Sequence, residues 1–180
     1  MWQRVRQLIP QLILFGIALV LLFTSVETLA IAPVAADIRQ LEEAPGQIVY
    51  QSRQPLRDQH NNSWQAIAFK RIRPDGSASL YLRLVGFPDV IDIDRSQPLV
   101  LTNSLGKTLT ANDASQQIFT DATAPAPNVG QYDLAPIVSE LQAAIPLKLS
   151  LRTTQGEPVE LVISPALLQE WQTLFMPGST

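Results

Sequence analysis

Glycine and proline cut the chain into short pieces. Between residues 37 and 175, Gly falls at 46, 76, 86, 106, 130 and 156, and proline lies near most of them. The runs between these marks read as β-strands bounded by turn signals. Residues 48–53 are the first, 63–72 the second and 79–85 the clearest. In the last of these Leu80, Leu82 and Leu84 face one way while Tyr81, Arg83 and Val85 face the other. That is the two-residue period of a strand. Pro74-Asp75-Gly76 joins the second run to the third, which predicts an antiparallel hairpin. Residues 90–94, 99–102 and 107–110 continue the series, and 147–152 with 159–163 form a further hairpin.

Two helices interrupt this pattern. Leu134, Ile137, Val138, Leu141 and Ile145 follow helical spacing, with Asp133 as a cap, Pro136 in the first turn and Pro146 as a stop. The second helix has Ser164 as cap and Pro165 at its first position, followed by the apolar stripe Leu167, Leu168, Trp171, Leu174 and Phe175. At about 11 residues it is marginal alone, so its stripe must dock, most simply on its own sheet. The expected fold is therefore mainly β: an antiparallel sandwich or curved sheet with one or two short helices. The alternative is an α+β layer with both helices on one sheet face.

Composition excludes several functions. The 180 residues suit one ordinary domain, and 46% are hydrophobic, too apolar for a disordered chain. The chain has no Cys and one His, which removes thiol chemistry, disulfides and zinc sites built mainly from these residues. A net charge of −3 gives no basic excess for nucleic acid.

The N-terminus has the order of an export signal. Arg4 and Arg6 precede an unbroken apolar run over residues 12–23, and small residues lead to Ala36. Twelve residues make roughly 18 Å of helix, short of the about 30 Å core of a bilayer. Residues 1–36 are therefore expected to be a signal peptide cleaved after Ala36, or else an uncleaved transmembrane anchor. Residues 37–180 are expected to form one strand-rich domain outside the cytoplasm. Without Arg4, Arg6 and Glu27, the 13 basic and 16 acidic side chains become 11 and 15, a net charge of −4.

Several side chains invite a functional reading. Asp89, Asp92 and Asp94 are the best metal candidates, since calcium takes several carboxylate oxygens. They lack the glycine and distal glutamate of a calcium-binding helix-loop-helix, and solvated strand charges paired with Arg83 or Arg95 are the simpler reading. Lys70, Arg71 and Arg73 form a basic cluster suited to an anionic partner, or simply a charged strand that resists aggregation. Trp64 suits the core or a partner surface. Pro125 and Pro127 belong to an Ala/Pro-rich stretch over 121–128 that reads as an extended surface loop. His60, in a polar turn near Asp58, reads as a solvated side chain. There is no Gly-x-Ser-x-Gly, P-loop or dinucleotide fingerprint, and no coherent catalytic set. No cofactor is expected.

Six stretches carry a resemblance. They are residues 38–47 (Ile-Arg-Gln-Leu-Glu-Glu-Ala-Pro-Gly-Gln), Ser63-Trp64-Gln65-Ala66, Arg73-Pro74-Asp75-Gly76, residues 82–88 (Leu-Arg-Leu-Val-Gly-Phe-Pro), residues 127–133 (Pro-Asn-Val-Gly-Gln-Tyr-Asp) and Gln169-Glu170-Trp171. Together they are spread across most of the range 37–175, and the chain resembles a family of small exported cyanobacterial proteins of unknown function. The resemblance implies a cyanobacterial host, hence periplasm or thylakoid lumen, and brings no catalytic residues.

The leading functional expectation is a non-enzymatic binding or assembly module. It would present a strand face or the 121–128 loop to a membrane-protein complex. The alternative is a carrier of a small apolar ligand, roofed by the C-terminal helix. A weaker alternative is a hydrolase using carboxylates or calcium.

Overall fold

The computed structural model describes residues 38–118 and 125–176. The expected signal or anchor over 1–36 and residues 121–124 of the Ala/Pro-rich loop lie outside the described residues. Among the described residues nine strands form two antiparallel sheets. In the first, β1 (Arg39–Ala44), β2 (Gln47–Arg57), β3 (Ser63–Ile72) and β4 (Ala78–Val85) are neighbours in order, and β7 (Val129–Asp133) closes the far edge. In the second, the order is β6 (Thr108–Ala111), β5 (Leu99–Asn103), β8 (Leu147–Leu151) and β9 (Val159–Ile163). One α-helix, α1 (Pro165–Phe175), follows β9.

Alternation decides which face meets the core. Trp64, Ala66 and Ala68 of β3 and Leu82 and Leu84 of β4 point inward. Leu99 and Leu101 of β5, Leu147, Leu149 and Leu151 of β8, and Val159, Leu161 and Ile163 of β9 belong to the same buried cluster. Both sheets thus feed one core, which is the mainly β, sandwich-like arrangement that the two-residue period predicts. Each fully buried Leu or Ile contributes about 1.5–3 kcal/mol relative to exposure.

Helix α1 starts as its sequence dictates. Ser164 Oγ accepts the N–H of Leu167 at 3.2 Å, and Pro165 takes the first position, where no N–H is needed. Leu168, Trp171 and Leu174 are fully buried, so the stripe docks on the domain's own core. Glu170 lies on that side too, with a buried Oε1 that has no donor among the described residues.

Two expected elements do not form. Residues 134–145 are not an α-helix; they make tight turns with one 3-10 segment, Val138–Glu140. Leu134, Ile137 and Leu141 are nonetheless buried. Bonds from Ile137 N to Leu134 O at 3.0 Å and from Glu140 N to Ile137 O at 2.9 Å close the shorter 3-10 ring. Leu141 then turns extended, and Gln172 of α1 donates to its carbonyl at 2.6 Å. The apolar spacing is satisfied by about one turn between two prolines. Residues 90–94 are not a strand either: Asp89 is left-handed (φ 61°), and only Ile93 makes a bridge, to Thr153. The neighbouring amides find scattered partners, with Ile93 N donating to Pro127 O and Asp94 N to Arg152 O.

Strands β1 and β7 carry little local strand signal because their sequences are polar or contain glycine. β1 is exposed throughout and owes its form to the Pro45-Gly46 turn, where Gly46 has φ 73°.

A buried carboxylate organises the turn between β2 and β3. Asp58 accepts four hydrogen bonds: His60 N at 2.9 Å, Asn62 N at 2.8 Å, Asn62 Nδ2 at 3.0 Å and Trp64 Nε1 at 3.0 Å. Burial works to raise its pKa, but the bonds from Trp64, Asn62 and His60 outweigh burial and hold it below the usual carboxylate range. Asp58 also bridges to Leu161 of β9, so one residue ties the first sheet to the second. The Trp64 ring it holds leaves no room beside Gly86, where a Cβ would stand 3.1 Å from the indole.

Asp58→Asn, which replaces an acceptor with a donor facing donors, should lose about 1–3 kcal/mol in denaturant unfolding. Because the folded pKa lies below the unfolded value of about 3.9, the contribution of Asp58 is complete above that pH and lost as pH falls through the folded value. The native chain should therefore lose more stability below about pH 4 than the variant does. Glu170→Leu should gain stability, by about 1 kcal/mol, since it removes a buried acceptor with no donor.

Candidate functional site

The outward face of the first sheet carries the most unusual chemistry in the described structure. Register places Arg53 of β2, Ile67 of β3, Arg83 of β4 and Gln131 of β7 in one cross-strand row. The next row holds Gln51, Phe69, Tyr81 and Asp133. Two residues beyond Phe69 on the same face stands Arg71. Three guanidiniums thus surround a small apolar floor of Val49, Ile67, Phe69, Tyr81 and Ala114.

The Phe69 ring is the centre. Arg83 Cζ lies 5.2 Å and Arg71 Cζ 5.6 Å from its centroid, both in cation–π geometry. Tyr81 packs against it with centroids 5.4 Å apart. The tyrosine hydroxyl donates to Gln117 Oε1, which draws the 3-10 segment Ser115–Gln117 over one side of the face.

Charge on this face does not balance. Glu43 grips Arg71 with two bonds, Nε to Oε2 at 2.8 Å and Nη2 to Oε1 at 3.1 Å. Burial raises the pKa of Glu43, but Arg71, Gln47 and Arg83 together bring it below the usual value. Arg83 has only a neutral partner, donating through Nε at 3.2 Å and Nη2 at 2.8 Å to Gln131 Oε1. Arg53 likewise donates to Gln65 Oε1 at 3.2 Å. Among the described residues neither Arg53 nor Arg83 has a carboxylate at salt-bridge distance. Burial, then the charge of Arg71, lowers the pKa of Arg83; Glu43 opposes this and Arg53 adds to it. A guanidinium stays protonated all the same. The domain from residue 37 has more acids than bases, yet of the described carboxylates only Glu43 pairs with these three arginines; Asp133, in the next row, accepts the N–H of Ala135 instead.

The residues singled out from sequence are dispersed. Trp64 is buried in the core and bound to Asp58, so its ring is not a surface anchor. Lys70 turns to the core side of β3, where its Nζ donates to Met176 O at 2.8 Å and closes the C-terminal end of α1. Arg73 donates to Ser79 Oγ at 2.8 Å beside the hairpin turn. Of the basic cluster, only Arg71 reaches the aromatic face. Asp89, Asp92 and Asp94 do not converge: Asp94 Oδ1 accepts from Ser96 N at 3.0 Å and Oγ at 2.6 Å, while the backbone carbonyl of Asp92 accepts Thr154 N. Among the described residues no group of three His, Asp or Glu stands close enough to hold a metal ion. Neither Arg83 nor Arg95 pairs with these aspartates. Arg95 clamps the loop instead, donating to Pro125 O at 3.1 Å, Val129 O at 2.8 Å and Ala126 O. Pro125 is buried, and Pro127 is exposed with its carbonyl taken by Ile93 N.

His60 is exposed, with Nε2 3.9 Å from Glu157, while its neighbour Asp58 is committed to its four donors. The space beneath α1, expected as the roof of a ligand pocket, is occupied by Leu168, Trp171 and Leu174. Among the described residues no helix is long and apolar enough to cross a membrane. The tyrosine that follows Gln131, Tyr132, faces the core, where burial, then Asp113, pushes its phenol pKa well up against the opposing charge of Arg95.

Sequence reasoning missed the pairing of Arg53 and Arg83 with Arg71. The available signal was Arg83 among the outward residues of β4. Its meeting with Arg53 needs the register of three strands.

Arg53→Gln should raise the melting temperature by about 1–2 °C, more at low salt than at high salt, because it relieves repulsion on Arg83. A fall on the same substitution would mean that Arg53 is there for stability.

Residues 36–174 match the family described as "Protein of unknown function (DUF3122)". No curated protein and no solved structure matches the chain.

Proposed function

The chain belongs to that family of unknown function, and from this premise we propose that it is an exported, non-enzymatic binding or assembly module. Its binding surface is the arginine face of the first sheet, and its partner is an acidic region of a membrane-protein complex. The observation that carries this reading is the unbalanced charge: Arg53 and Arg83 stand beside Arg71, and among the described residues Glu43 is the one carboxylate at salt-bridge distance from any of the three. Folding alone gives no reason to crowd like charges on one sheet face, since such neighbours destabilise it. An acidic partner supplies the missing carboxylates, and the Phe69–Tyr81 floor gives the guanidiniums a rigid base.

Export rests on the N-terminal order of Arg4 and Arg6, the apolar run over 12–23 and the small residues before Asp37. The resemblance to exported cyanobacterial proteins supports the periplasm or thylakoid lumen as the site of action.

The test is retention of detergent-solubilised membrane proteins on the immobilised intact chain at rising salt. The native chain should hold a defined complex that elutes as salt increases, and the Arg53→Gln/Arg83→Gln variant should lose at least tenfold of that retention. Recovery at background level, or equal recovery by both proteins, would remove this reading.

A further inference from the structure

Two sheets present four edges, and three of them are protected. Beyond β7, Asp133 N donates to Asn112 O at 3.0 Å and Ala114 N to Gln131 O at 2.7 Å, so the chain after β6 covers that edge. Beyond β9, Asp58 bridges Leu161, and Gln59 Oε1 accepts Glu160 N at 2.8 Å. β6 is only four residues long.

β1 differs from all three. Its six residues are exposed throughout, and among the described strands it pairs only with β2. Leu41, at its centre, is 48% exposed. An antiparallel ladder uses alternate N–H and C=O groups on each side, so the outer side of β1 offers a row of them. The slip in its ladder with β2 lies between Glu42 and Ala44, which leaves residues 39–42 in regular register.

The sequence of this edge complements itself. Laid antiparallel on its own copy about Leu41, Gln40 meets Glu42 and Leu41 meets Leu41 within the regular stretch, and Arg39 faces Glu43 at the slip. Centring on Glu42 instead sets carboxylate on carboxylate, and centring on Gln40 pairs Arg39 with Leu41. Only the Leu41 centre joins opposite charges and covers the exposed leucine.

We propose that β1 is the docking edge for a second copy of this chain, paired antiparallel about a twofold axis at Leu41. The interface is isologous, as a twofold requires. It merges two five-stranded sheets into one continuous sheet of ten. A twofold perpendicular to the sheet keeps like faces together, so the two arginine faces lie on one side. Glu43 then sits between Arg71 of its own chain and the second copy's Arg39. The dimer stands on the edge geometry and does not depend on the identity of any other partner.

The absence of cysteine from the chain allows a direct test. In Leu41→Cys, the two sulfurs meet only if the two edges pair at this register, because opposed strand positions lie within disulfide range. Under mild oxidation, intact Leu41→Cys should form a covalent dimer at least tenfold faster than intact Leu105→Cys, whose site is 79% exposed in a turn. Adding Gln40→Glu should slow the reaction, and adding Gln40→Lys should speed it, each by about fivefold, since every change acts twice across the axis. Equal rates at positions 41 and 105 would overturn the dimer. Fast cross-linking that ignores both Gln40 substitutions would overturn the pairing about Leu41.

Discussion

Asp58 orders the turn before β3 through its carboxylate and ties the first sheet to the second through its backbone. It reads the turn between β2 and β3 through the amides of His60 and Asn62, and it reads the core through Trp64 Nε1. The same residue bridges to β9 of the other sheet. A buried carboxylate with fewer donors would cost the domain stability; with four it fixes where the longest hairpin begins. That start sets the register of β3, and β3 lies at the centre of the first sheet. From the register follow both faces of that sheet: Trp64, Ala66 and Ala68 inward, Ile67, Phe69 and Arg71 outward.

The outward face then inherits a charge problem from the inward one. Once β2, β3 and β4 are aligned to pack the core, Arg53 and Arg83 have to flank Ile67, and Arg71 has to stand next to Phe69. The domain answers part of the repulsion with Glu43, reached across the β1–β2 hairpin, and part with the amide oxygens of Gln65 and Gln131. The aromatic ring takes two guanidiniums at once. The remaining positive charge is what a binding surface for acidic groups needs.

Much of the fold was legible, and for a plain reason. Residues 63–72, 79–85, 99–102 and 159–163 alternate or run apolar between turn signals, and there local pattern and core burial ask for the same conformation. Ser164 and Pro165 mark the start of α1 for a similarly local cause. Where the two demands part, the reading failed. Leu134, Ile137 and Leu141 have helical spacing, yet burial is achieved with a 3-10 turn because the segment is pinned between β7 and β8. Residues 90–94 look like a strand, but no neighbouring strand offers them a ladder. β1 lacks apolar alternation, since neither of its faces reaches the core, and it forms because a turn folds it onto β2.

The sequence by itself determined the strand-rich class, the hairpins around Pro74-Asp75-Gly76 and 153–158, and the capped C-terminal helix. These depend on neighbours a few residues away. Only the tertiary structure decided which charges share a face. It turned Lys70 inward to the end of α1, buried Trp64 against Asp58, sent Arg95 to loop carbonyls, and gathered Arg53, Arg71 and Arg83 around Phe69. Apart from the Trp64–Asp58 bond, whose residues are six apart, these meetings join strands or loops distant in the chain, so they depend on register and packing that no local pattern encodes.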